Sequence, residues 1–334
     1  MKRVARHVAI VGPTASGKSH LALALARRDP RFEIVSLDSM QVYRGMDIGT
    51  AKATAAERSE VCHHLVDVVD AADDWSVART QAGARAAVAD IEARGGRALL
   101  VGGTGLYVQA VVDGFDLPGE DLEVRAALEA ATSAPGGLLE AWRELQRLDP
   151  AAAARIDEHN QRRIVRALEV IRITGRPFSS FGPGVFPRSA TAPAAAPETT
   201  SGSDGWNESG DGTAVFDVRL LGVWTARGHS VRQITQRVER MRADGLADEV
   251  AELLRHPWAR AARQAIGYKE IAAALETSSA LDDAFALIVR RTRSFARRQR
   301  MWFRRDPRIV WIAGTDLEAT IDAAHVVCAA GGPS

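Results

Sequence analysis

The residues best suited to chemistry lie near the start of the chain, in the stretch VGPTASGKSH. Its spacing of glycines, lysine and serine matches the phosphate-binding pattern G-x-x-x-x-G-K-[ST]. In this pattern backbone amides surround phosphate oxygens, the lysine contacts the terminal phosphate, and the hydroxyl binds Mg²⁺. The stretch therefore predicts a phosphate site made of Gly12, Pro13, Thr14, Ala15, Ser16, Gly17, Lys18 and Ser19.

A carboxylate ends the second predicted strand, FEIVSLD, at Asp38. Ligands of parallel sheets bind beyond the carboxyl ends of the strands, so this residue should face the same crevice as the phosphate loop. Three roles remain open for Asp38: a general base, a water-mediated metal ligand, or a helix N-cap.

The third predicted strand, in ALLVGGTGLY, ends in glycines rather than in an acid. Nucleotide hydrolases usually carry a metal-binding aspartate at this place. Gly102, Gly103 and Gly105 instead allow close approach of a ligand to the backbone and to the Thr104 hydroxyl. This composition argues against a nucleotide hydrolase.

Arginines recur along the stretch VRRTRSFARRQRMWFRR at helical spacing. One face carries Arg290, Arg293, Arg297, Arg300 and Arg304, and no acid occurs from Arg290 to Arg305. An apolar face, which includes Phe285, Ile288 and Phe303, lies opposite. A weaker basic cluster consists of Arg155, Arg162, Arg163 and Arg166. Two basic helices beside a phosphate crevice favour a nucleic-acid partner over a solvated surface.

The overall composition is that of a globular protein, with 46% hydrophobic and 25% charged residues and a formal net charge of +1. Two isolated cysteines, Cys62 and Cys328, argue against a disulfide framework or a zinc site. The adjacent His63 and His64 favour polar-contact roles, because neighbouring strand residues point to opposite sides. No signal peptide or membrane span is apparent, so we expect a cytoplasmic protein.

Alternating strand and helix patterns predict an α/β fold with a P-loop-type parallel sheet flanked by helices, interrupted by a helical insertion domain. We assign 1–116 and 214–334 to the two parts of the core, the latter with the basic C-terminal helix. Residues 117–180 form the predicted helical insertion. A flexible low-complexity loop is predicted over 181–213, because that segment is rich in Pro, Ala, Ser, Thr and Gly.

Taken together, these motifs resemble the tRNA dimethylallyltransferase (isopentenyl-diphosphate:tRNA transferase) family. The matching stretches are GPTASGKS, SLDSMQVYRGMDIGTAK, HHLVD, VGGTGLY, RRIVRALEV, QAIGYKE and RRQRMWFR, in the family's order. Three residues depart from the family's usual ones. They are Ser19 for threonine, Ala53 for proline and Met301 for threonine.

The resemblance implies transfer of a dimethylallyl group from dimethylallyl diphosphate to the exocyclic N6 amine of the adenine immediately 3′ to the anticodon. Asp38 would then be the general base, with Thr104, Lys18 and Arg227 as further catalytic residues, and Mg²⁺ would bind Ser19. The tRNA would contact Asp38, Ser39, Met40, Gln41, Thr104, Arg125, Gln161, Arg162, Arg163, Arg166, Arg293, Arg297 and Arg300. We expect a monomer that has no contact with a membrane.

Three alternatives stay open at the level of the residues. A small-molecule kinase would share the phosphate loop and Asp38, but it does not explain the arginine helix. A non-catalytic RNA-binding ATPase explains the arginines and leaves Asp38 and the GGTG turn without a role. A prenyltransferase acting on free adenine nucleotides does not require the helical insertion.

Overall fold

The computed structural model describes residues 7–181, 217–277, 279–314 and 316–329. The predicted low-complexity loop therefore lies, apart from Phe181, outside the described residues. The chain divides into two compact units. The first comprises Met1–Val112 with Ala214–Ser334, and the second is the contiguous segment Asp113–Thr213.

The first unit is built on a parallel sheet, which in the described residues has six strands. Their order across the sheet is β3-β2-β4-β1-β5-β6, and each pairing is parallel. This confirms the predicted α/β class. The strands are β1 His7–Val11, β2 Phe32–Ser36, β3 His63–His64, β4 Arg97–Gly102, β5 Val218–Trp224 and β6 Val310–Ala313.

Buried β-branched and aliphatic side chains form the strands because helices cover both faces of the sheet. Alternate residues of β1 enter two separate clusters. Val8 and Ile10 pack with Leu21 and Leu25 on one face. Ala9 and Val11 pack with the other cluster, which includes Phe303. The helices of this unit are α1 Lys18–Arg28, α2 Ala55–Glu60, α3 Val77–Ala93, α4 Gly105–Val112, α9 Arg227–Ala243, α10 Leu246–Leu253, α11 Arg260–Arg263, α12 Tyr268–Thr277, α13 Leu281–Phe303 and α14 Leu317–Ala329.

The second unit is helical throughout its described part. Its helices are α5 Leu122–Ser133, α6 Gly137–Leu148, α7 Pro150–Ala153 and α8 Gln161–Thr174, followed by a 3₁₀ turn at Phe178–Ser180. They enclose a core of their own around Leu145, Ile164 and Leu168. Capping by Asp121, Asp149 and Asn160 fixes the helix starts, since each side chain accepts a hydrogen bond from a first-turn amide.

Candidate active site

The strand order places four chemically distinctive turns at one edge of the sheet. β1 lies between β4 and β5, and β2 lies on the other side of β4. Because all these strands are parallel, the turns that follow them share the carboxyl edge. The phosphate loop, Gly12–Gly17, therefore neighbours the GGT turn after β4 and the turn after β5, and Asp38 follows β2.

The phosphate loop adopts a conformation that depends on its glycines. Gly12 has φ +148°, and a Cβ there would lie 2.8 Å from the Val223 carbonyl oxygen. Ala15 and Gly17 have φ 58° and 91°. Among the described residues, the amides of Ala15, Ser16 and Gly17 meet no acceptor. The Ser16 hydroxyl, only 3% exposed, also has no partner. These donors suit an anion with several oxygens.

Lys18 is the first residue of α1 and is held against the loop. Its Nζ donates a hydrogen bond to the Pro13 carbonyl at 2.6 Å. Burial and, to a lesser extent, the nearby charge of Arg237 lower the pKa of Lys18 to about 7, and Asp38 acts in the opposite direction. Lys18 follows the phosphate loop, Asp38 lies after β2, and Arg237 lies on α9. Because their charges influence one another, these three elements form one electrostatic site.

Arg237 is a site residue that the sequence analysis missed. Burial lowers its pKa, and Asp38 opposes that effect. Its guanidinium also donates a hydrogen bond to the Thr50 carbonyl at 3.4 Å. Because Arg237 lies in the middle of a polar helix, no local pattern distinguishes it from surface arginines.

Asp38 lies in a turn, and no helix begins there, because the next helix, α2, starts at Ala55. The helix N-cap interpretation of Asp38 is therefore wrong. Oδ1 accepts a hydrogen bond from the Met40 amide at 2.8 Å, which closes a tight side-chain turn. Oδ2 has no partner in the described part of the chain, so one carboxylate oxygen remains available for a proton or a cation.

The residues after Asp38 are half-buried, and hydrogen bonds of the Gln41 side chain hold them in place. The Gln41 side chain is hydrogen-bonded to Ser36 Oγ at 2.9 Å and donates to the carbonyls of Thr50 and Ala51. Ser39 and Met40 are the neighbouring half-buried residues of the same turn. Gln41 thus has a structural role besides any contact with a substrate.

The stretch that follows, MDIGTAK, is held by the half-buried carboxylate of Glu249. Glu249 accepts hydrogen bonds from the amides of Asp47, Ile48 and Gly49, and from the Tyr268 hydroxyl at 2.6 Å. A Cβ at Gly49 would collide with the Tyr268 ring. Tyr268 belongs to the QAIGYKE motif. Through its contacts with Glu249 and Gly49, this motif supports the stretch MDIGTAK.

The GGT turn contacts the basic helix. A Cβ on Gly103 would lie 2.7 Å from Gln299 Nε2, and Gln299 Oε1 accepts a hydrogen bond from the Thr14 amide at 2.8 Å. Thr104 is half-buried at the start of α4. Gln299 was also missed by the sequence analysis, because it lies between the arginines that dominate its segment.

The predicted arginine face of α13 is exposed except at Arg300, which is half-buried, and the contacts of its members differ. Arg293 donates to Thr235 Oγ1 at 3.0 Å, and Arg300 donates to the Thr225 carbonyl at 3.2 Å. Arg297 has no partner among the described residues. Burial and the charges of Arg304 and Arg227 lower the pKa of Arg300. Arg227 itself is exposed in the first turn of α9.

In the second unit, two of the predicted RNA-binding arginines already have a partner. Arg125 and Arg166 both pair with Glu169, whose side chain is 0% exposed. Gln161 donates to Thr132 Oγ1 at 2.8 Å. Arg162 and Arg163 are exposed and unpaired in the described structure. Arg162 and Arg163 are therefore the members of this basic cluster that are free for phosphate contacts.

The adjacent histidines make polar contacts at the edge of the sheet. His63 Nδ1 is hydrogen-bonded to the Val61 carbonyl and His64 Nε2 to Glu33 at 2.7 Å. Possible ligand atoms of Glu33, Cys62 and His64 lie within 4.8 Å of one another. Arg94 also pairs with the Glu33 carboxylate. The cluster is thus satisfied by its own hydrogen bonds and charges.

Comparison with known proteins decides the family. A family model described as IPP transferase matches residues 41–306, and one described as isopentenyl transferase matches residues 5–66. The chain belongs to the IPP transferase family. It is 45% identical to a tRNA dimethylallyltransferase of Kineococcus radiotolerans, over 96% of this chain and 94% of that protein.

Solved structures of IPP transferases agree with this assignment. A tRNA isopentenylpyrophosphate transferase from Bacillus halodurans is 36% identical with a TM-score of 0.65, and the match covers 96% of this chain and 94% of that one. An enzyme of the same description from Staphylococcus epidermidis is 28% identical with a TM-score of 0.64, over 96% and 97% of the two chains. In the described parts of the chain, no helix is both long and apolar enough to cross a membrane.

Proposed function

We propose that this IPP transferase moves a dimethylallyl group from dimethylallyl diphosphate to the N6 amine of the adenine that follows the anticodon of tRNA on its 3′ side, with release of diphosphate. The observation that carries the proposal is the juxtaposition of a phosphate loop with open amides and a carboxylate, Asp38, that is electrostatically linked to Lys18. The tRNA acceptor and the prenyl donor follow from the names of the relatives.

The proposed reaction joins the adenine nitrogen to C1 of the dimethylallyl group as the bond from C1 to the diphosphate oxygen breaks. An adenine amine is a weak nucleophile because its lone pair is delocalised into the ring. Asp38 Oδ2 would accept the amine proton as the bond forms, and Thr104 would orient the amine. The leaving diphosphate takes the bonding electron pair and is stabilised by Lys18, the loop amides and Arg227.

A divalent cation fits the donor side of this site. The Ser19 hydroxyl is exposed beside the phosphate loop, and hydroxyl and phosphate oxygens are the hard ligands that Mg²⁺ prefers. When bound, Mg²⁺ would neutralise charge on the diphosphate. Lys18, with a pKa near 7 in the free protein, would regain its full positive charge when the diphosphate binds.

The RNA side of the proposed reaction uses arginines of α13 and α8. Arg293, Arg297 and Arg300 on α13, and Arg162 and Arg163 on α8, would contact phosphates of the anticodon stem-loop. The target adenine must leave its stack to reach Asp38, as base-modifying enzymes require. Because tRNA is the acceptor, we propose that the reaction takes place in the cytoplasm.

Incubation with labelled dimethylallyl diphosphate and Mg²⁺ tests the proposal, with bulk tRNA, AMP and ATP in parallel reactions. We expect label in tRNA and none in AMP, and no phosphate release from ATP. Lys18→Ala should abolish the transfer. RNA-dependent release of phosphate from ATP would instead support an ATPase, and label in AMP would support a nucleotide prenyltransferase.

A further inference from the structure

One turn of α13 contacts the turns that follow β1, β4 and β5. Gln299 accepts the hydrogen bond from the Thr14 amide of the phosphate loop, and Arg300 donates to the Thr225 carbonyl after β5. Trp302 packs against Gly105, where an added Cβ would lie 2.1 Å from the indole ring. The three turns that form the donor site are thus positioned by a single helical turn.

Gln299 has the central place in this arrangement. It is 6% exposed, and it supplies the one side-chain hydrogen bond that the phosphate loop receives from a distant element in the described structure. The bond occupies the Thr14 amide and leaves those of Ala15, Ser16 and Gly17 open. Gln299 therefore fixes the shape of the loop without using the donors that a diphosphate needs.

The exposed side of the same helix carries the arginines proposed to bind RNA. Arg297 has no partner in the described structure, and Arg293 is held only by a threonine. Arg300 belongs to both sides, because it is half-buried, contacts Thr225 and is repelled by Arg227 and Arg304. A polyanion bound here would relieve that repulsion and hold the turn from Gln299 to Trp302 in place.

We propose, on the basis of the function proposed above, that Gln299 is a positioning residue that couples RNA binding on α13 to diphosphate binding in the phosphate loop. RNA favours the arrangement in which the bond between Thr14 and Gln299 is made, and this arrangement presents the loop amides to the diphosphate. A ligand shifts such an equilibrium only through its different affinity for the two arrangements. By linkage, the diphosphate strengthens RNA binding by the same factor.

Calorimetry with inorganic diphosphate as the probe measures the coupling directly. The dissociation constant is determined with and without a saturating tRNA anticodon stem-loop. For the unmodified protein we expect tRNA to tighten diphosphate binding by about fivefold or more. For Gln299→Met, which keeps the volume and loses the acceptor, we expect a ratio of about 1, by the same linkage. Gln236→Met, at an exposed position on α9, is the matched control and should keep the unmodified ratio.

Gly103→Ala provides a second test that leaves the glutamine in place. The new methyl group would displace the Gln299 amide and should also abolish the coupling. In the Gln299→Ala background there is room for it, so the two changes should be strongly non-additive. The proposal is overturned if the unmodified protein shows a ratio of 1 while it still prenylates tRNA, or if Gln299→Met and Gly103→Ala keep the unmodified ratio. If the unmodified protein does not transfer a prenyl group to tRNA at all, the proposed function is contradicted instead.

Discussion

Lys18 changes its charge close to neutral pH, and this gives diphosphate binding a definite pH dependence. Its pKa is about 7 in the free protein. A bound diphosphate raises that pKa, so above pH 7 binding must be accompanied by uptake of a proton. The affinity should therefore fall as pH rises from 7 to 9, by up to about tenfold per pH unit. Calorimetry in buffers of different ionisation enthalpy measures the uptake.

Lys18→Arg is the control for this prediction. An arginine stays protonated throughout the range, so it should remove the proton uptake even if it binds the diphosphate less well. A proton uptake of zero at pH 8 in the unmodified protein would show that Lys18 is already charged before the ligand arrives.

Asp38 combines a structural contact with its proposed role as a base, and two substitutions separate them. Asp38→Asn keeps an oxygen for the Met40 amide but cannot accept a proton, whereas Asp38→Ala loses both. We expect both variants to lower turnover by roughly 10²–10⁴-fold with saturating substrates. The asparagine variant should keep the unmodified melting temperature. Single-turnover prenylation of tRNA measures the rate, and near-normal turnover of Asp38→Asn would exclude the base.

The sequence was sufficient to propose site residues whose local spacing follows a known pattern. Gly12, Gly17 and Lys18 define the phosphate loop by pattern, and Asp38 by its place at a strand end. Arg237 and Gln299 were not predictable, because their roles arise from residues about two hundred or more positions away. The sequence also did not reveal that Arg125 and Arg166 both form ion pairs with the buried Glu169.

At the level of the elements, α13 is expected to contribute a salt-dependent part of RNA binding. Changing Arg293, Arg297 and Arg300 to glutamine removes three possible phosphate contacts. Each contact contributes a slope of about 0.7 to 0.9 in log affinity against log salt concentration. The triple variant should therefore bind tRNA more weakly at low salt and show a flatter slope. Filter binding across a salt series measures this.

A matched variant changes three other arginines to glutamine and so loses the same charge. They are exposed on other parts of the first unit: Arg31, Arg255 and Arg263. It should leave the salt slope nearly unchanged. An equal slope for the unmodified protein and the α13 variant, with both folded by circular dichroism, would assign α13 to ordinary solvated surface.

The elements that were predicted well have apolar residues either in a continuous run or at helical spacing along the sequence. β1 and β4 are continuous apolar runs that are buried along almost their whole length, whereas α3 and α6 each bury residues at helical spacing. The structure has all four close to the predicted positions. The weak points were β3, with only two residues, and the end of β2, which stops at Ser36 before the predicted Asp38. An edge strand of two residues is too short to show a pattern in the sequence. β2 ends early because the residues after Ser36 belong to the turn that Asp38 forms.

At the scale of the whole molecule, the second unit has a core of its own. A substitution in that core should therefore weaken tRNA binding without affecting diphosphate binding. Leu145→Ala removes a side chain that is 0% exposed in α6 and should cost about 2–5 kcal/mol of stability. We expect tRNA binding and prenyl transfer to fall near the melting point of this unit. Diphosphate binding, which uses residues of the first unit, should persist. Calorimetric unfolding and diphosphate titration at the same temperature measure the two effects.

Leu148→Ala, three positions further along the same helix and 47% exposed, is the matched control and should change stability by less than about 0.5 kcal/mol. Loss of diphosphate binding in Leu145→Ala, at a temperature at which the first unit stays folded, would contradict the independence of the two cores.

The contact between Thr14 and Gln299 joins residues 285 positions apart, and this constrains the protein during its synthesis. The ribosome releases about 5–20 residues per second. β1 therefore leaves the ribosome many seconds before β5, its partner on one side, exists. The second unit, one continuous segment, is complete before β5 is made. A nascent chain can thus fold its helical segment first, while the donor pocket is assembled only after β5 and Gln299 have been synthesised.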